Sequence, residues 1–120
     1  MQKICLLQDL PDQQVRGFDL EQAAILVYRQ GETLRAFHNL CPHRGIRLEW
    51  QPQVFMDVEQ QFIQCATHGA LFQPLSGECI AGPCPGEFLQ RLPIHLQGQE
   101  VWIEFNAAPK KPASAVTPLR

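Results

Sequence analysis

Cys41-Pro42-His43-Arg44-Gly45 and Cys65-Ala66-Thr67-His68-Gly69 decide the reading of this chain, because each places a cysteine shortly before a histidine. Two thiolates and two imidazoles, supplied as like pairs from two separate segments, suit an iron-sulfur centre of mixed ligation. In such a centre the thiolates hold one iron of a 2Fe-2S cluster and neutral imidazoles hold the other. In extended chain, residues i and i+2 project to one side, so Cys41 and His43 can reach one centre together. Cys65 and His68 are one residue further apart and need a turn. Gly45 and Gly69 follow the histidines closely, where backbone without Cβ bends tightly and brings N–H groups toward bridging sulfides. Pro42 stiffens the first arm.

The same four residues also make a tetrahedral zinc set. Zinc fingers group cysteine with cysteine and histidine with histidine, whereas here the types alternate. A binding or regulatory module built on structural zinc is therefore the rival class. It predicts zinc without sulfide, and no redox change.

On these residues the chain resembles the Rieske iron-sulfur proteins, with Cys41 to Gly45 as the first box and Cys65 to Gly69 as the second. Phe72, the Ser76-Gly77-Glu78 turn and Gly82-Pro83-Cys84-Pro85 are similar to the strand, turn and proline loop that follow the second box and cover the cluster in that family. The opening Asp9-Leu10-Pro11 and the closing Val101-Trp102-Ile103 fit the small-ferredoxin pattern. The resemblance implies one 2Fe-2S cluster per chain with Cys41, His43, Cys65 and His68 as its ligands. It also implies a relation to the ferredoxin components of ring-hydroxylating dioxygenases and to the small subunits of nitrite reductases.

High-potential members carry an extra cysteine in each box, joined as a disulfide; Ile46 and Thr67 stand at those positions here. That subgroup also donates serine and tyrosine hydroxyls to the cluster sulfurs, where this chain has Ala70 and Phe72. Fewer donors leave more negative charge on the sulfurs and disfavour an added electron. The resemblance thus points to the low-potential ferredoxin type.

A length of 120 residues and 45% hydrophobic content allow one domain with a real core. They leave no room for the separate mononuclear-iron domain of a Rieske oxygenase, and His38 and His95, the remaining histidines, make a poor start for a 2-His-1-carboxylate site. A formal charge of −2 gives no footprint for nucleic acid or an anionic membrane, so the expected partners are proteins. The apolar run within Met1 to Leu7 is too short for a signal peptide or a spanning helix, and no later run approaches ~20 apolar residues; a cytoplasmic protein is expected. Of five cysteines, the cluster takes two, leaving Cys5, Cys79 and Cys84. Cys5 is expected in a strand, and Cys79 and Cys84 either as thiols used as small apolar side chains or as a disulfide locking the proline loop.

Short β-like runs recur between turn residues, and no long segment keeps a helical period, so the class is all-β. Strands are predicted over 3–7, 15–20, 24–29, 34–39, 55–58, 62–65, 71–73, 78–80, 89–96 and 101–105, with hairpin turns at Gln30-Gly31-Glu32 and at Gln97-Gly98-Gln99-Glu100. A short helical turn is expected after Asp9-Leu10-Pro11. The predicted architecture is a Rieske fold over residues 1–106. It consists of a small antiparallel barrel or sandwich base with an inserted cluster-binding subdomain at about 39–86, Trp50 and Phe55 belonging to that subdomain's core. Residues 107–120, rich in proline and lysine, read as a disordered tail.

The expected function is one-electron transfer from a reductase to an oxygenase or another redox enzyme, with the alternative of a small accessory subunit of an assimilatory nitrite reductase. No catalytic acid, base or nucleophile is expected. The resemblance places His43 and His68 at the exposed edge of the cluster, with Arg44 and Arg47 beside them as solvated charges or as a match for an acidic partner.

Overall fold

Every residue from Ala24 to Tyr28 is apolar, without the polar alternation of a strand that faces water on one side. A computed structural model of the chain, which describes residues 1–21, 23–40, 48, 53, 55–57, 59–65, 69–82 and 86–105, shows why. This run is β3 (Ala24–Gln30), which lies in a four-stranded antiparallel sheet in the order β2-β3-β4-β8, with β2 (Gln14–Asp19), β4 (Thr33–His38) and β8 (Arg91–Leu92). Both faces of the sheet are covered. Ile25 and Val27 enter one buried cluster with Leu7, Leu34, Ala36, Leu92, Val101 and Ile103. Leu26 and Tyr28 enter the other, with Phe37, Leu48, Phe55, Ile63, Cys65, Ala70 and Phe72. Burying each large side chain contributes ~1.5–3 kcal/mol, so the pairing of Leu26 with Phe37 and of Val27 with Ala36 is strongly held. A slip by one residue would send each side chain to the opposite cluster.

The first cluster is closed by a sheet of β1 (Gln2–Leu6), β10 (Glu100–Ile103) and β9 (Ile94–Gln97). The second is closed by the sheet of β5 (Ile63–Gln64), β6 (Leu71–Phe72) and β7 (Cys79–Ala81). All pairings are antiparallel, as an all-β chain of short strands predicts. Both expected hairpins form, with Gln30 opposite Thr33 and Gln97 opposite Glu100.

Three expectations are revised. The single strand at 89–96 is two: β8 pairs with β4, whereas β9 pairs with β10 in another sheet. Pro93 separates them, since a residue with no N–H cannot continue a ladder, and the chain changes sheets there. The helical turn comes before Leu10-Pro11 and not after it, as a 3-10 turn over Leu7–Asp9. Pro11 restricts Leu10 to extended backbone (φ −107°, ψ 114°), and the Asp9 carboxylate accepts the Leu6 N–H at 3.0 Å from inside the turn. Of the strand at 55–58, the described residues 55–57 form a bridge between Met56 and Ile63, and the Asp57 carboxylate accepts the N–H groups of Gln61 and Phe62.

Edge strand β2 is shielded by side chains. Gln53 donates to the Gly17 carbonyl and accepts the Gly17 N–H, imitating a neighbouring strand, and the Phe55 ring lies where a Cβ on residue 17 would stand, 2.5 Å away. Phe55 is buried as expected; Trp50, Val58, Cys84 and the tail 107–120 lie outside the described residues. Among the described residues no helix is long and apolar enough to cross a membrane.

Candidate metal centre

β4 carries the chain toward the first box; its last residue, His38, and the next, Asn39, are both polar and buried. The Asn39 N–H donates to the Ala24 carbonyl at 2.9 Å, extending the pairing of β4 with β3. Its side-chain oxygen accepts the N–H of Leu48 at 2.9 Å, in a buried bond that joins the two sides of the segment holding Cys41 and His43. Leu48 is fully buried and belongs to the same cluster as Cys65, Ala70 and Phe72.

The second box opens where β5 ends. The Cys65 N–H donates to the Ala70 carbonyl at 2.9 Å, and the Cys65 carbonyl accepts the Gly69 N–H at 2.7 Å. These two bonds bring Gly69 and Ala70 back onto Cys65; the turn expected between Cys65 and His68 lies outside the described residues. Gly69 has φ +71°, a conformation that side chains disfavour. A third segment bears on this loop: Gly82, at φ +101°, sits so close to Ala70 that an added Cβ would lie 2.7 Å from the Ala70 Cα. The residue before Pro83 therefore packs directly on the foot of the second arm.

Of the four expected ligands, Cys65 is described, and Cys41, His43 and His68 lie outside the described residues, as do Arg44, Arg47, Ile46 and Thr67. Cys65 has no exposed surface and stands in an apolar cluster. A neutral thiol is at home there as a small apolar side chain, and a thiolate would be favourable there only if a metal ion held it. The donor set suits a 2Fe-2S cluster by its chemistry, and the anchoring of Cys65 by Gly69 and Ala70 is compatible with Cys65 as one ligand. Ala70 and Phe72 are fully buried beside this loop and offer no hydroxyl, in keeping with the departures seen in the sequence.

The other candidates fall elsewhere. His38 is buried at the end of β4, whereas His95 lies exposed on β9, paired with Glu104 at 2.5 Å. Among the described residues no three His, Cys, Asp or Glu side chains are placed to hold a metal ion. Cys5 lies in β1, half-buried; burial, followed by the nearby Asp9 carboxylate, pushes its thiol up to about 11, which keeps it protonated and unreactive at neutral pH. Burial and the Asp12 carboxylate likewise raise the Tyr28 phenol. The Cys79 thiol donates to the Ala81 carbonyl at 3.3 Å, the behaviour of a small buried side chain with a weak donor. Sequence reading missed the Asn39 clamp and the seat of Gly82 on Ala70. Their signals were an amide side chain just past β4 and two residues before Cys41, and the glycine that opens the proline loop.

Comparison with known proteins agrees with this geometry. Residues 1–98 match the family model of the Rieske [2Fe-2S] domain. Among curated proteins, the cytochrome b6-f complex iron-sulfur subunit of Chlorobaculum thiosulfatiphilum is 31% identical over 77 residues, which are 64% of this chain and only 39% of that protein's length. The ferredoxin component of the naphthalene 1,2-dioxygenase system of Pseudomonas aeruginosa is 24% identical over 83% of this chain and 90% of its own. Among solved structures, the ferredoxin of carbazole 1,9a-dioxygenase from Nocardioides aromaticivorans IC177 superposes with a TM-score of 0.67 at 25% identity, covering 90% of this chain and 96% of that one.

Proposed function

The chain belongs to the Rieske 2Fe-2S family, whose cofactor is a 2Fe-2S cluster, and from that premise we propose that it is a one-electron carrier between a reductase and an oxygenase. The observation that carries this reading is the likeness, over most of both chains, to the ferredoxin components of two dioxygenase systems. The absence of the paired cysteines at Ile46 and Thr67 sets the chain apart from the high-potential type in the same direction.

In this reading Cys41 and Cys65 hold one iron, and His43 and His68 hold the other. When bound, the cluster takes up and gives back a single electron. The polypeptide supplies the rest: a buried Cys65 in an apolar cluster, a second arm anchored in the core, and no hydroxyl at Ala70 or Phe72 to donate to a sulfur. Residues 1–106 form the domain, with 39–86 as its cluster-binding part. No residue is assigned a catalytic role.

The test uses the anaerobically purified protein. It should contain two irons and two sulfides per chain, titrate reversibly with one electron, and recover an oxygenase in a pull-down of the native protein. Zinc without sulfide would end the proposal, and recovery of a sirohaem nitrite reductase subunit would assign the accessory-subunit alternative instead.

The midpoint potential should fall in the lower part of the range of about −150 to +300 mV open to this ligation. Ala70→Ser, which places a hydroxyl on the fully buried residue that anchors the Cys65 loop, should raise it, because a donor to sulfur offsets the charge of the added electron. Voltammetry of parent and variant decides; a parent value near the top of the range, or no rise in the variant, would refute the stated cause.

A further inference from the structure

We infer that Asn39 is a positioning residue for the metal centre, clamping the two ends of the first ligand arm. The inference rests on the ligand assignment proposed above and adds a residue to it. Asn39 is 1% exposed, and among the described residues it and His38 are the only buried polar ones. A buried amide is costly in such a place unless it is hydrogen-bonded, so its presence calls for a partner that the fold needs. The structure supplies one. The side-chain oxygen accepts the Leu48 N–H at 2.9 Å across a separation of nine residues, and that separation encloses Cys41 and His43.

The clamp links two bodies. On one side the Asn39 backbone is tied to Ala24 of β3, in the central sheet. On the other, the Leu48 side chain is sealed into the cluster that also holds Cys65 and Ala70, the foot of the second arm. The bond therefore sets where the first arm leaves and re-enters the core relative to the second. Two arms that each contribute one thiolate and one imidazole must be in register to share a single centre. An aliphatic residue at position 39 would fill the volume and leave the Leu48 N–H buried without its acceptor.

The experiment compares the parent holoprotein with Asn39→Ala and Asn39→Asp, the latter retaining an acceptor oxygen at the same reach. Three quantities are read: hydrogen exchange at the Leu48 amide, the rate at which iron passes to a chelator in excess, and the paramagnetic-resonance spectrum of the reduced protein. In the parent the Leu48 amide should be protected. In Asn39→Ala that protection should fall, iron release should quicken roughly tenfold, the scale of a lost buried hydrogen bond, and the spectrum should shift at temperatures where the apoprotein is still folded. Asn39→Asp should recover much of the protection and retention. A purely structural role would lower the unfolding temperature while leaving spectrum and release rate unmoved, and that result would overturn the inference. So would a Leu48 amide in the parent that exchanges like an exposed one, a measurement that needs no variant to fold. A parent that binds neither iron nor sulfide would overturn the ligand assignment itself; it is told apart from failure of the clamp because the Leu48 amide would remain protected.

Discussion

Cys65→Ala should yield a folded protein that retains no 2Fe-2S cluster. The two effects separate by magnitude. Removing one buried sulfur from a core costs on the order of 1 kcal/mol, as most single substitutions do, and leaves most of a marginal stability of about 5–15 kcal/mol in place. Removing a thiolate ligand leaves an iron short of a bond at a place shut off from solvent. Cys65 has no exposed surface, and its backbone is fixed at both N–H and carbonyl by Ala70 and Gly69. Water therefore has little access to the position. His43→Ala and His68→Ala should likewise abolish the cluster or leave a labile one, since each opens a coordination position. Iron and sulfide per chain, visible absorption and paramagnetic resonance are the measurements, with circular dichroism to establish that the variants fold. A variant that keeps the parent's spectra and stoichiometry would remove that residue from the ligand set.

What was legible in the sequence was what depends on neighbours along the chain. The apolar run at Ala24–Tyr28 announced a strand, although not that both of its faces would be covered, and Gly31 and Gly98 marked hairpin turns that form where expected. The alternation of cysteine and histidine named the chemistry, because ligand type and order are local properties. Where a local signal had two outcomes, tertiary structure chose between them. The alternation of apolar and polar residues continues through Pro93, so 89–96 read as one strand. Pro93 is nevertheless where the chain leaves the central sheet and joins β10. Asp9 could cap a turn on either side of itself, and Pro11 decided the matter by holding Leu10 extended. The supports of the site were the least legible. Asn39 with Leu48 joins two points nine residues apart, and Gly82 meets Ala70 one step beyond the Leu71–Ala81 pair of β6 and β7; no periodicity of the sequence encodes either.

The second of these supports carries the other large prediction: Gly82→Ala should destabilise the domain by ~2–6 kcal/mol and loosen the cluster. Two costs add. At φ +101° an L-residue is held in a region almost reserved for glycine, which costs of order 1–3 kcal/mol. The new methyl would also stand 2.7 Å from the Cα of Ala70, 3.1 Å from its Cβ and 3.3 Å from its nitrogen, and overpacking of this kind costs ~1–3 kcal/mol. The obstacle is backbone, which no rotamer change can clear. Because the Ala70 carbonyl receives the Cys65 N–H, displacing Ala70 moves the anchor of the second arm. Thermal unfolding should therefore fall by roughly 10 °C or more, at about 4–8 °C per kcal/mol for a domain of this size, and iron loss should accelerate well below the new midpoint. The double variant Gly82→Ala, Ala70→Gly separates the two contributions. Removing the Ala70 methyl relieves the 3.1 Å contact but neither the 2.7 Å contact with Cα nor the strained φ, so only part of the stability should return. Full recovery would mean that the methyl contact alone was responsible, and a parent-like midpoint in Gly82→Ala itself would mean that this close approach does not hold the arm.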